Sequence, residues 1–312
     1  MSIADRHAVL VTRRTRLQEL IERFNTVEQA RFYVEHLGAS FEDYAAEHEH
    51  YQQAVRATHE QLALSARVQR LDRGFLANFM FAPDALVVVL GQDGLVANTL
   101  KYLAHGQPVI GVNPDPARWD GALLPFAVKD LRRVLPEALV GRRKTRRVTM
   151  AQASLGDGQT LYAVNDLFIG PRSHTSARYE IRQHEVAEVQ SSSGLIVSTG
   201  LGSTGWLQSL LAGAEGMLGQ PLPEDLRALR PGGFAWDAHY LRFTVREPFP
   251  SRTTQTTLVT GEILPDAPLT LVSQMAGYGV IFSDGIESDY LEFNAGMHAR
   301  IAVAEREGCL VI

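Results

Sequence analysis

Cysteine is almost absent from this 312-residue chain: Cys309 stands alone. One thiol cannot close an internal disulfide, so stability must come from a packed core, and a reducing compartment is expected. Long apolar runs are missing too. None approaches the roughly 20 residues of a membrane-spanning helix, so no membrane partner is expected. Nor is positive charge in excess. The net charge is −5 and the pI about 6.1, which argues against general binding to nucleic acid or to anionic membranes. The first residues lack the apolar core of a secretory signal. Arg6, Arg13, Arg14 and Arg16 have the composition of an organelle transit peptide, but His7–Thr12 (HAVLVT) already reads as a strand. A cytoplasmic location is the expectation.

What is present suffices for a core. Hydrophobic residues make up 45% and charged residues 21%, which excludes general disorder. The length favours two domains. Residues 15–68 read as largely helical, with Leu17, Leu20 and Ile21 on one face, and Glu42 to Arg70 contains neither Gly nor Pro. The run ALVVVL at 85–90 is expected to form a strand buried on both faces, as in parallel sheets. A helix over 95–105 and a strand over 108–112 complete a βαβ unit. GRRKTRR at 141–147 is the linker candidate. Beyond it, β-rich runs at 147–153, 160–169, 178–181, 194–199, 240–245, 256–259, 269–273, 279–283 and the chain end predict a mainly β domain. The expected division is an α/β domain over 1–141, to which 297–312 could return, and a β-rich domain over 142–296.

Three polar stretches interrupt these elements. Gly91-Gln92-Asp93-Gly94 follows the most apolar strand and precedes a helix. The glycines let a ligand approach main-chain N–H groups, and the helix N-terminus favours an anion. A carboxylate there repels phosphate unless it takes a proton from a nucleophile or works with a metal ion. Asp93 as a plain helix cap is the alternative. Gly200 to Gly205 (GLGSTG) matches the dinucleotide pattern G-x-G-x-x-G, but no second parallel strand follows it. A polar loop at a strand end is the better reading, with Ser198, Thr199, Ser203 and Thr204 offering hydroxyls. Asn165-Asp166 interrupts a strand and suits the paired hydroxyls of a ribose, with a bulge or turn as the alternative. His48, His50 and His59 do not share one helix face, so no metal ligands are assigned.

In order, these residues resemble the NAD kinase family, and most its mitochondrial-type branch. The family's Gly-Gly-Asp-Gly turn, Asn-Glu pair and Gly-Ser-Thr-Ala-Tyr loop are matched by Gly91-Gln92-Asp93-Gly94, Asn165-Asp166 and Gly202-Ser203-Thr204-Gly205-Trp206. GVNPDP (111–116), YAVNDLFIG (162–170), SSGL (192–195), REP (246–248) and LEFNAG (291–296) add to the likeness. The resemblance implies an α/β nucleotide-binding domain with a parallel sheet, a mainly β NAD-binding domain and an active site between them. It also implies transfer of the γ-phosphoryl of ATP to the 2′-hydroxyl of the adenosine ribose of NAD, giving NADP, with a divalent ion such as magnesium. Asp93 would accept the proton, with Gly91 and Gly94 in the same nucleotide-binding turn. Asn165 and Asp166 would hold ribose and adenine groups. Thr204, Gly205, Trp206 and Ser209 would line the nucleotide pocket. A homo-oligomer, first of all a homodimer, is implied as well. Three residues depart from the pattern. Gln92 replaces a glycine, Leu95 replaces a threonine, and Asp166 is one methylene shorter than glutamate. They keep open a nucleotide sensor without turnover, or a kinase of altered substrate.

Overall fold

The computed structural model describes residues 6–312, which divide into two compact units. The first runs to Arg146 and takes back Cys309–Ile312; the second is Arg147–Gly308.

In the first unit, β1 (His7–Thr12) leads to helices α1 (Arg16–Phe24), α2 (Val27–His36) and α3 (Phe41–Ala63). Then come β2 (Arg67–Asp72), β3 (Leu86–Leu90), α4 (Asp93–Leu100), β4 (Pro108–Asn113), β5 (Phe126–Ala127) and α5 (Leu131–Leu139). Thr15 starts α1 with a capping box to Gln18, and Thr26 accepts from the Gln29 amide at the start of α2. The helical stretch ends sooner than its composition suggests, because RVQRLD forms β2, an edge strand paired to β1 with only Leu71 buried. A strand with one buried side chain leaves no apolar alternation to read. Strands β2, β1, β3 and β4 lie side by side and parallel. Leu86 to Leu90 are all buried, as their unbroken apolar run requires. Tyr51, Ala54 and Val55 of α3 and Leu131, Val134 and Leu135 of α5 pack with Leu10, Val88, Leu90 and Ile110 in one core. The helix after β3 begins at Asp93 and ends at Leu100, shorter than the expected 95–105.

The order places a switch point between β1 and β3. From β1 the chain leaves towards β2 on one side, and the later strands β3 and β4 add on the other. In open parallel sheets ligands bind beyond the carboxyl ends of the strands at such a point. Val11 pairs with Val89, so the turns after Thr12 and Leu90 open side by side there.

The second unit contains β6 (Thr145–Leu155), whose first residues precede its boundary, then β7 (Thr160–Ala163), β8 (Asp166–Pro171), β9 (Ala177–Gln183), β10 (Val186–Ser192) and β11 (Leu195–Ser198). Helices α6 (Trp206–Leu218) and α7 (Glu224–Arg227) follow, then β12 (Leu241–Val245), β13 (Thr260–Ile263), β14 (Leu269–Ser273), β15 (Gly279–Ser283), β16 (Ile286–Glu292) and β17 (His298–Val311). The last residues of β17 belong to the first unit, where Cys309 and Leu310 pair with β4. The sheet β13-β12-β11-β8-β15-β16 is antiparallel throughout.

Several expectations need correction here. The run at 160–169 is two strands, broken at Val164-Asn165. The strand expected at 256–259 lies at 260–263 instead. The amides of Thr257 and Leu258 donate to the buried Glu188 carboxylate, 3.0–3.2 Å away, rather than to a neighbouring strand. Helix α6 directly follows the glycine loop, where the sequence leads to the expectation of a polar loop alone.

Candidate active site

The Gly91–Gly94 turn is tied down from three sides. The Gly91 amide donates to Val112 O at 3.2 Å and so extends the β3–β4 ladder. The buried Tyr51 hydroxyl donates to Leu90 O at 2.8 Å and accepts from the Arg13 amide at 2.9 Å. It thereby joins the ends of β1 and β3, and burial pushes its pKa up to about 12, so it stays protonated to donate. Asp93 is the first residue of α4, and Gln92 precedes the helix without a side-chain cap. The Asp93 carboxylate instead accepts from the amides of Ala122, 3.0 Å from Oδ2, and Leu123, 2.9 Å from Oδ1. It is therefore oriented by a separate loop, and the plain-cap reading fails.

The GVNPDP segment builds that loop. Asn113 Nδ2 donates to Trp119 O at 2.7 Å, and its Oδ1 accepts from the Asp115 amide at 3.0 Å. At Gly111 an added Cβ would lie 1.8 Å from Leu123 O, so only glycine lets the loop close on the strand and reach Asp93. Beside it an ion-pair network joins the helices. Arg118 Nη2 lies 2.7 Å from Asp43 and Arg13 Nη2 3.0 Å from Glu47, while Arg16 reaches both carboxylates. Burial pushes the Glu47 carboxyl up, but hydrogen bonds from Arg16 and Arg13 outweigh this and hold it below the ordinary carboxylate range.

The departures at 92 and 95 differ in kind. Gln92 is exposed and adopts φ −123°, ψ 163°, extended backbone open to any residue, so the freedom of a glycine is not needed there. Leu95 is 3% exposed, and its Cδ2 would meet a Cβ on Gly91 at 2.8 Å. An apolar side chain covers the turn where a hydroxyl was expected.

The second unit holds the remaining candidates. Asn165 sits where β7 passes into β8, and Asp166 starts β8. The amides of Val164, Asn165 and Asp166 all point at one carboxylate, Asp284, at 3.1, 2.7 and 3.3 Å. Asp284 and Gly285 form the two-residue turn between β15 and β16, at φ 55° and 69°, the left-handed geometry that Asp-Gly favours in hairpins. Burial, with the Asp284 charge beside it, raises the Asp166 carboxyl to about 7. The Thr199 amide donates to Asn165 O at 2.9 Å and its hydroxyl to Val164 O at 2.5 Å. A Cβ on Gly202 would lie 2.0 Å from Asn165 O, so the glycine loop and Asn165 pack backbone to backbone. Ser203 is buried, donating to Gly200 O at 2.6 Å and accepting from the Phe234 amide at 3.0 Å. Thr204, Gly205 and Ser209 are exposed on and before the first turn of α6. Trp206 stacks on Phe168, with centroids 5.8 Å apart and planes at 8°.

Strand β11 is antiparallel to both β8 and β12, so Gly200–Gly205 is not a dinucleotide-fold turn. Tyr51, the Ala122–Leu123 amides, Asp284 and Arg246 were missing from the sequence-based site. Asp284-Gly285 carried a readable signal, an Asp-Gly pair between two strand-like runs, and Arg246 lies in the REP stretch quoted above without a role having been given to it. The amides have no side-chain signature at all.

No family model matches the chain. It is 37% identical over 135 residues to the NAD kinase of Heliobacterium modesticaldum, covering 41% of this chain and 46% of that protein. It is 25% identical over 225 residues to a probable NADH kinase of Oryza sativa subsp. japonica, covering 64% and 62%. The match therefore spans about half to three fifths of these relatives' length. In fold it is similar to an NAD kinase from Archaeoglobus fulgidus in complex with ATP, with TM-score 0.55, 16% identity and coverage of 98% of this chain and 93% of that one. It is likewise similar to yeast NADH kinase complexed with NADH, with TM-score 0.56, 15% identity and coverage of 98% and 83%. Over the matched part the chain is similar in sequence to NAD kinases, and over nearly its whole length it has the fold of the two solved structures.

Proposed function

We propose that the chain transfers the γ-phosphoryl of ATP to the 2′-hydroxyl of the adenosine ribose of NAD. Asp93 is the catalytic residue. As the oxygen–phosphorus bond forms, the hydroxyl proton passes to the Asp93 carboxylate, and ADP departs with the electron pair of the broken bond. The observation that carries this reading is the setting of Asp93 at the carboxyl edge of the parallel sheet, beside the switch point. The two amides occupy one acceptor position on each oxygen, and a carboxylate offers about four, so it can still accept from a hydroxyl. Such proton transfer contributes about 10²- to 10⁴-fold; positioning and charge neutralisation supply the rest. Asn165 and Asp166 hold the ribose and adenine, while Thr204, Gly205, Trp206 and Ser209 line the nucleotide pocket. Among the described residues no group of three or more His, Cys, Asp or Glu could hold a metal ion, so in this reading magnesium arrives with ATP. No helix of the described chain is long and apolar enough to cross a membrane.

The test is to incubate pure protein with NAD, ATP and magnesium and to assay NADP with an NADP-specific dehydrogenase. Steady NADP formation is expected. A second reading, a nucleotide sensor without turnover, is favoured by Leu95 covering Gly91. It predicts NAD or NADP binding with no NADP formed, and robust NADP production excludes it. The resemblance also leads to an expected homodimer, which light scattering checks.

A further inference from the structure

The second unit contains a cavity of about 250 Å³ whose walls include Phe168, Ser173, His174, Thr175, Ser193 and Arg246. Phe168 and Arg246 adjoin Trp206 of the candidate nucleotide pocket, and none of these lining residues carries an assigned role. Main-chain bonds fix the Arg246 backbone beside it: the Ser193 amide donates to Arg246 O at 2.9 Å, and the Arg246 amide to Gly194 O at 2.8 Å. The guanidinium carbon lies 5.3 Å from the Trp206 ring centroid and 6.0 Å from that of Phe168, so two stacked aromatic rings orient it. Its carboxylate contact is weak. Glu247 stands 3.9 Å away, beyond hydrogen-bonding distance, whereas Arg13 and Arg143 each sit 3.0 Å from a glutamate.

The other walls supply donors. Ser173 Oγ and Thr175 Oγ1 are 3.1 Å apart; two hydroxyls sharing one proton between them leave a second proton to donate elsewhere. Ser193 and the His174 imidazole add further polar groups, and no carboxylate lines the cavity. An arginine fork, hydroxyls and an imidazole with no acid among them match the oxygens of a phosphate.

We propose that this cavity is a phosphate subsite, taking the phosphate of a nucleotide or a free phosphate anion. That the phosphate comes from the dinucleotide substrate rests on the function proposed above; that the cavity takes phosphate does not.

The experiment titrates inorganic pyrophosphate and NADP into the full chain by calorimetry, with tryptophan fluorescence as a second signal because Trp206 touches Arg246. Wild type, Arg246→Gln and the loop variant Ser173→Ala/Thr175→Val are compared, with thermal melts to confirm folding. The proposal expects saturable pyrophosphate binding, weakened about tenfold or more by Arg246→Gln and less by the loop variant. Competition between pyrophosphate and NADP assigns the phosphate to the dinucleotide; binding without competition assigns it to a free anion, and either supports the subsite. Absence of pyrophosphate binding, or wild-type affinity in the loop variant, overturns it. If Arg246→Gln does not fold, the exposed loop variant decides alone. Failure of the kinase reading appears separately, as no NADP formed by wild type whatever these titrations give.

Discussion

The two units hold their carboxylates in opposite ways. In the first, Asp93 stands at the end of a parallel sheet and is oriented by two amides of a loop that only Gly111 lets close. In the second, Asp284 takes three amides at the break between β7 and β8, while Asp166 next to it has no such support and is pushed up to about 7. Main-chain donors fix the orientation of a carboxylate. A buried carboxyl beside another charge is instead driven towards its neutral form. Under the proposed function these settings correspond to different duties: Asp93 to receive a proton, Asp166 to present one to a ligand acceptor when neutral.

The sharpest way to break this comparison is Gly111→Ala. Its Cβ would strike Leu123 O, displacing the amides that orient Asp93. NADP formation should fall by about 10²-fold, as for a displacement near 1 Å at a reacting group, with nucleotide binding retained; unchanged kcat would detach the loop from catalysis. Asp284→Ala should act on stability instead. It leaves three partly buried amides without an acceptor, which costs about 2–4 kcal/mol in urea unfolding; a loss under 1 kcal/mol would mean water replaces the carboxylate.

Asp166 gives a pH signature. Its folded value, about 7, lies above the ordinary 3.8, so between these the native state binds more protons than the unfolded chain. Its contribution is complete below 3.8 and is lost as pH rises through about 7. Asp166→Asn should flatten the fall of thermal stability between pH 4 and 7, and a profile parallel to wild type would refute the raised value. The smallest effect belongs to Tyr51→Phe. Loss of the hydroxyl between Arg13 N and Leu90 O should cost about 1–2 kcal/mol, and an unchanged melting temperature would show that the bridge contributes nothing.

The two regions also differed in how far the sequence disclosed them. The run from Leu86 to Leu90 and the following βαβ rhythm were plain because burial on both faces leaves only apolar residues. Edge strand β2 was hidden, since five of its six residues need no burial. The displaced strand near 260 was hidden because a distant side chain, Glu188, takes the amides that a ladder would use. Among the candidate residues, Asp93 in the first unit and the Asn165-Asp166 pair in the second announced themselves as polar groups where apolar ones were expected. The loop amides, Tyr51 and the Arg246 stack act through positions fixed only by the folded backbone.

The most direct measurement compares wild type with Asp93→Asn under NAD, ATP and magnesium, with NAD binding followed by calorimetry. The account predicts that NADP formation drops by about 10² or more while NAD affinity changes little. Near-wild-type turnover in the variant would contradict it.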